Sequence, residues 1–322
     1  MLTRRSLLKS LLVTPPGLTL LNACDTFQPL KIGVHPWIGY ETLYLAEELG
    51  KLPASVQLVK HANSSEKIAP LRSGSLDGGA FTLDEVLLLQ SQGVDLTIVA
   101  IMDISAGADL VLVKDITRNP LIYADQRIGF EQNQVGQLML DLLLLHVGLS
   151  RDQVKLYPIP VGDNQVEAWQ RGSVDAMITY EPTASKLKRL DGKVAFTSRD
   201  FPQRIFDVIA IRTDRLAHFQ QAIKALIKVH FAMLQRFQQQ PDDTLYRIAS
   251  RQRISYHEAK HALHGVILPS LSKNHQLLEQ NQGQLQQAIV HLQQIMNLAP
   301  QQKARSNSAP FYSPYYLPSI VL

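Results

Sequence analysis

The chain has little of the material from which several classes of protein are built. Only one of its 322 residues is cysteine, Cys24, so an internal disulfide and a multi-cysteine metal cluster are both excluded. Aromatic residues make up 7% and charged residues 19%, whereas hydrophobic residues reach 45%, which excludes a disordered chain. The length suffices for about two domains, each able to bury a core of its own.

A marked excess of positive charge is also missing from the body of the chain. The formal net charge is +4, and three of the 32 basic residues, Arg4, Arg5 and Lys9, lie within the first nine positions. The remaining basic residues nearly balance the 28 acidic ones, so the body lacks the basic surface that releases counterions on nucleic acid. We therefore expect no nucleic-acid partner.

The first 23 residues contain no long hydrophobic run, but they have the order of an export signal. A basic head is followed by apolar residues from Leu7 to Val13, a break at 15–17 and a second apolar stretch. Neither stretch approaches the roughly 20 residues that cross a bilayer as a helix. We predict an export signal over residues 1–23 and a lipidated linker over 24–29, without a permanent transmembrane anchor.

Two short motifs refine this prediction. Thr3–Lys9 (TRRSLLK) resembles a twin-arginine export motif with Leu7 where Phe is usual, so the twin-arginine and the general export route both stay open. Leu21–Cys24 (LNAC) resembles a bacterial lipobox, which implies lipidation of Cys24. Asp25 resembles a retention signal, so the protein is expected in the periplasm as an inner-membrane lipoprotein.

From Leu30 the chain alternates short apolar runs, such as the predicted strands Leu30–Val34 and Val56–Lys60, with helical patterns. The order then recurs. Arg127–Phe130 (RIGF) echoes KIGV 96 residues earlier, and GSVDAMITY from Gly172 echoes GSLDGGAFT at an offset of 98. Two copies of one α/β arrangement would produce this echo, although chance similarity of a short motif stays open. The predicted class is α/β, with two lobes, a central cleft and a helical C-terminal extension.

The apolar runs also suggest boundaries between these parts. We predict that lobe 1 begins with residues 30–114, that 115–210 form an inserted lobe 2, and that Asp207–Asp214 carries the chain back. Residues 211–300 would complete lobe 1 and supply the C-terminal helices, and 301–322 would drape over the body as a tail. The two crossings between lobes would form a hinge.

Four segments in order along the chain carry a resemblance to a known family. They are PWIGYETLYLAEELG (36–50), GSLDGGAFTLDEVL (74–87), DISAGADLVLVKD (103–115) and TYEPTASKL (179–187). Together they resemble the solute-binding proteins of bacterial ABC importers in the nitrate, sulfonate, taurine and pyrimidine-precursor group. The resemblance implies a type II periplasmic binding protein fold that captures a small solute for an ABC permease. It implies neither enzyme activity nor a cofactor, and it leaves the solute open.

In open parallel sheets, ligands bind at the carboxyl ends of strands, where loops enter helices. The loops of both lobes supply the predicted ligand-binding residues: Trp37, Tyr40, Glu41, Thr82, Asp84, Ser105, Asn133, Gly136, Asp163, Tyr180 and Glu181. Each has a structural alternative, such as helix capping for Asn133 and Asp163 or core packing for Trp37.

The charge of these loops bears on the kind of solute. Helix starts at Tyr40, Asn133 and Asn164 would favour an anion such as a sulfonate. The same loops hold no Arg or Lys but five carboxylates: Glu41, Asp84, Asp109, Asp163 and Glu181. A neutral or cationic solute rich in hydrogen-bond donors, such as a pyrimidine, is therefore expected ahead of a sulfonate-like or taurine-like one.

One motif points to different chemistry. His257, Glu258 and His261 spell HEAKH, the HExxH pattern in which two His one helical turn apart bind zinc and the Glu acts as base. No third ligand follows at the usual spacing, and Ser255 with Glu258 fits a helix capping box. A zinc metallohydrolase stays open as an alternative, as does a pyrimidine (thiamine-precursor) synthesis enzyme of the same fold, which would work in the cytoplasm.

Overall fold

A computed structural model of the chain describes residues 28–117, 121–202, 205–279, 283–298 and 310–320. The predicted export signal and Cys24 lie outside the described residues. The strands are β1 (Leu30–Val34), β2 (Val56–Lys60), β3 (Gly78–Thr82), β4 (Leu96–Ser105), β5 (Asp109–Val113), β6 (Arg127–Phe130), β7 (Lys155–Pro158), β8 (Ala176–Tyr180), β9 (Lys193–Thr197), β10 (Phe206–Arg212) and β11 (Val266–Ile267). The helices are α1 (Glu41–Glu48), α2 (Ile68–Ser73), α3 (Leu83–Ser91), α4 (Gln134–Val147), α5 (Asp163–Gln170), α6 (Thr183–Arg189), α7 (Gln220–Gln239), α8 (Pro241–Gln252), α9 (Tyr256–Leu263), α10 (Leu271–Leu278) and α11 (Gln284–Ile295).

The strands form two sheets, one for each lobe. Sheet A has the order β11-β4-β10-β3-β1-β2, and sheet B has the order β7-β6-β8-β5-β9. Each sheet contains a parallel trio, β2-β1-β3 or β7-β6-β8, with an antiparallel strand added beside its last member. That added strand, β10 or β5, enters directly after the chain has crossed from the other lobe. The predicted two-lobed α/β fold is confirmed.

The echo in the sequence corresponds to a repeated hydrogen-bond arrangement. Asp77 and Asp175 stand just before β3 and β8, and each carboxylate accepts a hydrogen bond from a backbone N–H in the neighbouring parallel strand. The donors are Lys31 at 2.9 Å and Arg127 at 3.1 Å. The backbone N–H of each Asp donates in turn to the carbonyl of the same partner, at 3.0 and 2.8 Å. The repeated Asp therefore fixes how two parallel strands begin in both lobes.

Strand pairing corrects the expected boundary between the lobes by one strand. Asp109–Val113, expected at the end of lobe 1, pairs with β8 and β9 in sheet B, so the first crossing lies at 106–108 rather than at 114. The backbone N–H groups of Ala106 and Ala108 donate to the Gly265 carbonyl at 2.7 and 3.0 Å, which attaches the crossing segment to the residue that precedes β11. The return occurs at Phe206–Arg212, which lies between β3 and β4 in sheet A.

The two crossings lie side by side. The hydroxyl oxygens of Ser105 and Ser198 are 2.7 Å apart, and Ser198 Oγ accepts a hydrogen bond from the Gly107 N–H at 2.6 Å. Arg199 Nε donates to the Ala106 carbonyl at 2.6 Å. These bonds join the segments that pass between the lobes, where the sequence predicted a hinge.

Helices α7 to α11 form the predicted C-terminal extension. Helix α7 packs on α1 and buries an apolar stripe that includes Ile223, Leu226 and Ile227. Residues 310–320 of the predicted tail run beside β4, where the Ile98 N–H donates to the Phe311 carbonyl at 2.9 Å. Among the described helices, none combines the length and the apolar character needed to cross a membrane.

Candidate functional site: a cavity between the lobes

A cavity of about 20 Å³ lies between the two sheets, where β1, β3 and β8 reach their carboxyl ends. Its lining comes from both lobes: His35, Trp37, Ser64, Thr82, Asp109, Asn133, Val135, Tyr180, Ile205 and Asp207. This volume holds roughly one water molecule. A solute of the size of a sulfonate or a pyrimidine therefore requires the lobes to part.

An aromatic pair joins the lobes inside the cavity. Trp37 is 4% exposed, and its Nε1 donates to Asp103 at 3.1 Å. The Trp37 ring meets the Tyr180 ring edge to face, with centroids 5.5 Å apart, and the Tyr180 hydroxyl donates to Glu131 at 3.1 Å. The predicted ligand-binding residues that line this cavity are Trp37, Thr82, Asn133 and Tyr180.

The start of α4 forms one wall of the site. Asn133 caps this helix, since its Oδ1 accepts from the Gly136 N–H at 2.8 Å, while its Nδ2 donates to Glu131 at 2.7 Å. A Cβ on Gly136 would lie 2.1 Å from the Glu131 carbonyl oxygen, so a larger residue does not fit there. Gly136 lines a smaller neighbouring cavity together with Asp109 and Glu131. Asn133 thus both caps a helix and lines the cavity.

Three predicted residues of lobe 1 are engaged outside the cavity lining. The Tyr40 hydroxyl is fully buried and donates to Asp207. Glu41 is ion-paired with Arg251 at 2.7 Å. Ser105 is bonded at the crossing, as described above. The geometry gives these side chains structural contacts, although Tyr40 reaches the cavity indirectly through Asp207.

The remaining predicted residues also lie outside this lining. Glu181 accepts from the Ser185 N–H at 3.0 Å and from Lys188 at 3.1 Å, at the start of α6. Asp163 has a side chain that is 94% exposed. Asp84 is 1% exposed at the start of α3 and faces a separate cavity beside α4 and α11.

Carboxylates surround the main cavity. Asp109 and Asp207 line it, whereas Asp103 and Glu131 bond to the aromatic pair. Burial raises the pKa of Asp109 to about 6 and that of Glu131 to about 7. Burial, followed by repulsion from Asp103, raises the pKa of Asp207 well above its ordinary value. Near neutral pH, Asp207 therefore holds a proton, Glu131 is about half protonated and Asp109 is largely ionised.

A buried lysine lies behind the cavity. Lys67 is fully buried, and its Nζ contacts His35 Nδ1 at 3.0 Å and donates to the Ala80 carbonyl. Burial lowers the pKa of Lys67 to about 8, against the opposing effect of Glu85 and other acidic groups. His35 lines the cavity, and the lining residues named above include no Arg or Lys.

Comparison with protein-family models matches residues 26–250 to the NMT1-like family. The chain belongs to the NMT1-like family. This result and the fold together confirm the resemblance that the four sequence segments indicated. A comparison with curated proteins finds no match for this NMT1-like chain.

Several solved structures share the fold of this NMT1-like chain. The alkanesulfonate-binding protein SsuA from Xanthomonas axonopodis pv. citri, bound to MOPS, is 17% identical with a TM-score of 0.68, and the match covers 85% of this chain and 96% of that one. The periplasmic aliphatic sulphonate binding protein SsuA from Escherichia coli is 17% identical with a TM-score of 0.65, covering 84% and 93%. A zinc-bound ligand-binding component of an ABC-type import system from Staphylococcus aureus is 14% identical with a TM-score of 0.68, covering 84% and 92%. At these identities the likeness shows a common fold.

The HEAKH segment of this NMT1-like protein forms part of α9 and does not line the cavity. Glu258 and Ser255 form the capping box, with the Ser255 N–H donating to Glu258 at 2.8 Å. Glu258 is also ion-paired with Arg189 at the end of α6, which connects the two lobes. Within the described ranges, no group of three or more His, Cys, Asp or Glu side chains is placed to hold a metal ion. The zinc metallohydrolase alternative is not favoured.

Sequence reasoning did not select several residues around the cavity. Two of them could have been identified from the sequence. His35 directly follows a predicted strand, and Asp207 is a charged residue within an apolar run. For Lys67, Glu85 and Glu131, no feature of the sequence indicates a position near the cavity. Charged residues in helices and loops are usually solvated, so nothing local indicates that these are buried.

Proposed function

We propose that this protein is an exported solute-binding protein that captures a small molecule between its lobes and delivers it to an ABC-type importer. The cavity lined from both sheets, at the carboxyl ends of their strands, carries the proposal. Membership of the NMT1-like family and a fold shared with binding components of ABC import systems support it. The protein then binds its solute without transforming it.

The proposal includes a location. An export signal over residues 1–23 and lipidation of Cys24 would place the protein in the periplasm, anchored to the inner membrane beside its permease. The LNAC motif supports this, because it ends six residues before the first strand begins at Leu30.

The solute proposed is neutral or cationic, rich in hydrogen-bond donors and flat, such as a pyrimidine. Asp109, which is largely ionised at pH 7, lines the cavity as an acceptor beside Asp207, whereas an anionic sulfonate would face Asp109 without a compensating cation. Trp37 and Tyr180 supply aromatic surface from opposite lobes for a planar ring. Charge and shape therefore favour the same class of solute.

Calorimetry with the full chain tests this assignment at pH 7. The probes are 4-aminopyrimidine, cytosine, taurine, ethanesulfonate and nitrate. We expect the two pyrimidines to bind and the anions not to bind. Asp109→Asn should weaken pyrimidine binding roughly ten- to hundredfold, the range for loss of a hydrogen bond to a charged group.

Asp163→Asn is the matched control, because it makes the same chemical change at an exposed carboxylate of lobe 2. It should leave affinity unchanged. Tight ethanesulfonate binding that Asp109→Asn does not affect would contradict the proposed solute class. Mass spectrometry of the recovered pyrimidine addresses the enzyme alternative, which predicts a chemically altered product.

A further inference from the structure

Lys67 is a charged residue in the interior of the protein, and burying its ammonium group costs free energy. It is fully buried at the end of a 3-10 turn, and its Nζ lies 4.6 Å from the centre of the Phe81 ring. A buried ammonium is destabilising unless it is well hydrogen-bonded. Two acceptors meet it here, the Ala80 carbonyl and His35 Nδ1 at 3.0 Å. The contact with His35 is the one that reaches the cavity lining.

An ammonium group has donors and no acceptor, so His35 Nδ1 must be the acceptor of this hydrogen bond. Burial, Lys67 and His61 all lower the pKa of His35, so the ring is neutral. A neutral imidazole without a proton on Nδ1 carries it on Nε2. Nε2 has no hydrogen-bond partner within the described ranges, and His35 lines the cavity.

The charges around Lys67 keep it an ammonium group. Glu85 of α3 has the largest effect in favour of its protonated form, and Asp207 of β10 and Glu131, which follows β6, add to it when they are ionised. Tyr40 also faces it, with the ring centre 5.8 Å from Nζ. The donor role toward His35 is therefore sustained from several elements around it.

We propose that Lys67 is a positioning residue that fixes the tautomer of His35, so that lobe 1 offers one N–H donor to an acceptor atom of the solute. This inference rests on the proposed function of the cavity and extends it. Asp109 and Asp207 accept hydrogen bonds from a donor-rich solute, whereas His35 requires a lone pair on that same solute. A ring with an amino group and an adjacent ring nitrogen meets both requirements, and an aromatic amine without a ring nitrogen meets only one.

The tautomer is measured without any solute. Nitrogen-15 NMR of the histidine side chains at pH 6.5 distinguishes a proton on Nε2 from one on Nδ1. We expect His35 to carry it on Nε2 in the wild type and to populate the Nδ1–H form in Lys67→Met, which keeps the chain length without a donor. Lys60→Met, which removes an exposed lysine at the end of β2, should change nothing.

A wild-type spectrum with the proton on Nδ1 overturns the proposal, whether or not Lys67→Met folds. An unchanged Nε2–H form in folded Lys67→Met overturns it as well. Because these measurements use no solute, they are independent of the proposed function.

The role in specificity is measured as a ratio of affinities for 4-aminopyrimidine and aniline, which lacks the ring acceptors. Lys67→Met should reduce the preference for 4-aminopyrimidine roughly three- to tenfold, the range for one hydrogen bond. In a His35→Phe background, which has no donor, adding Lys67→Met should cause no further reduction. An unchanged ratio in Lys67→Met would overturn the specificity role, and a wild type that binds neither probe would contradict the proposed function itself.

Discussion

Replacing Asp84 with asparagine should stabilise the protein in alkaline solution and have little effect in acid. Asp84 is 1% exposed at the start of α3, and neither carboxylate oxygen has a hydrogen-bond partner within the described ranges. Burial raises its pKa from 3.8 to about 7. Between pH 4 and pH 7, Asp84 is therefore mostly protonated in the folded protein and mostly ionised in the unfolded chain.

The sign follows from proton binding. Because the folded state binds more protons between these two pKa values, the free energy of unfolding falls as the pH rises from about 4 to about 7. A difference of about three units corresponds to about 4 kcal/mol once the pH exceeds both values. The start of α3 favours a negative charge by only about 0.3–1 kcal/mol, so the burial effect is larger. Asparagine has no proton to lose and escapes this penalty.

Urea unfolding of wild type and Asp84→Asn at pH 5 and pH 8.5, without solute, measures the effect. The gain in unfolding free energy from the substitution should be roughly 2–3 kcal/mol larger at pH 8.5 than at pH 5, because part of the penalty is already present at pH 5. Asp163→Asn makes the same chemical change at an exposed carboxylate and is the matched control. If Asp84→Asn shifts stability by the same amount at both pH values, Asp84 does not ionise in a buried environment and the reasoning is refuted.

Three further predictions concern export, metal and solute contact. Cys24→Ser should leave the membrane fraction, because it removes the predicted lipid attachment; fractionation like the wild type would show that Cys24 is not the anchor. Metal analysis of the purified protein should find no stoichiometric zinc. Glu258→Ala should lower the free energy of unfolding by about 0.5–2 kcal/mol, because it weakens the helix cap. One zinc per chain that is lost in His257→Ala would instead support the hydrolase. Trp37→Ala should weaken solute binding about ten- to hundredfold, from lost contact worth about 1–3 kcal/mol, whereas Trp37→Phe should retain most of the affinity. Calorimetry on both variants checks this, and unchanged affinity in Trp37→Ala would place the solute elsewhere.

The parts of the fold that could be predicted are those with local causes. The predicted strands Leu30–Val34 and Val56–Lys60 have those bounds in the structure. The repeated Asp77 and Asp175 act through neighbouring backbone groups, so their pattern was visible as a repeat. The lobe assignment of Asp109–Val113 was not visible, because it depends on pairing with β8 and β9, which lie far along the chain.

The residues of the candidate site also fall into those that a local pattern predicts and those that it does not. That Trp37, Thr82, Asn133 and Tyr180 lie together at the cavity could be predicted, because the carboxyl ends of parallel strands meet at one edge of an α/β sheet. The prediction could not separate them from Glu181, whose loop is similar but whose carboxylate bonds to the start of its own helix. The burial of Lys67 is explained by its hydrogen bonds with His35 and the Ala80 carbonyl. No local sequence pattern indicates these contacts.

The arrangement of the crossings sets an order of assembly. All strands of sheet B lie in one stretch of chain, Asp109–Thr197, whereas β3 and β4 of sheet A become joined only through β10, which follows that stretch. A ribosome therefore releases every strand of sheet B before β10, the strand that joins β3 to β4. Until then β3 and β4 each have an edge whose backbone groups are unpaired. Both strands are buried along their whole length in the finished protein, so their apolar side chains are also uncovered at this stage. Those edges are where a nascent chain of this protein is most exposed to aggregation and most in need of a chaperone.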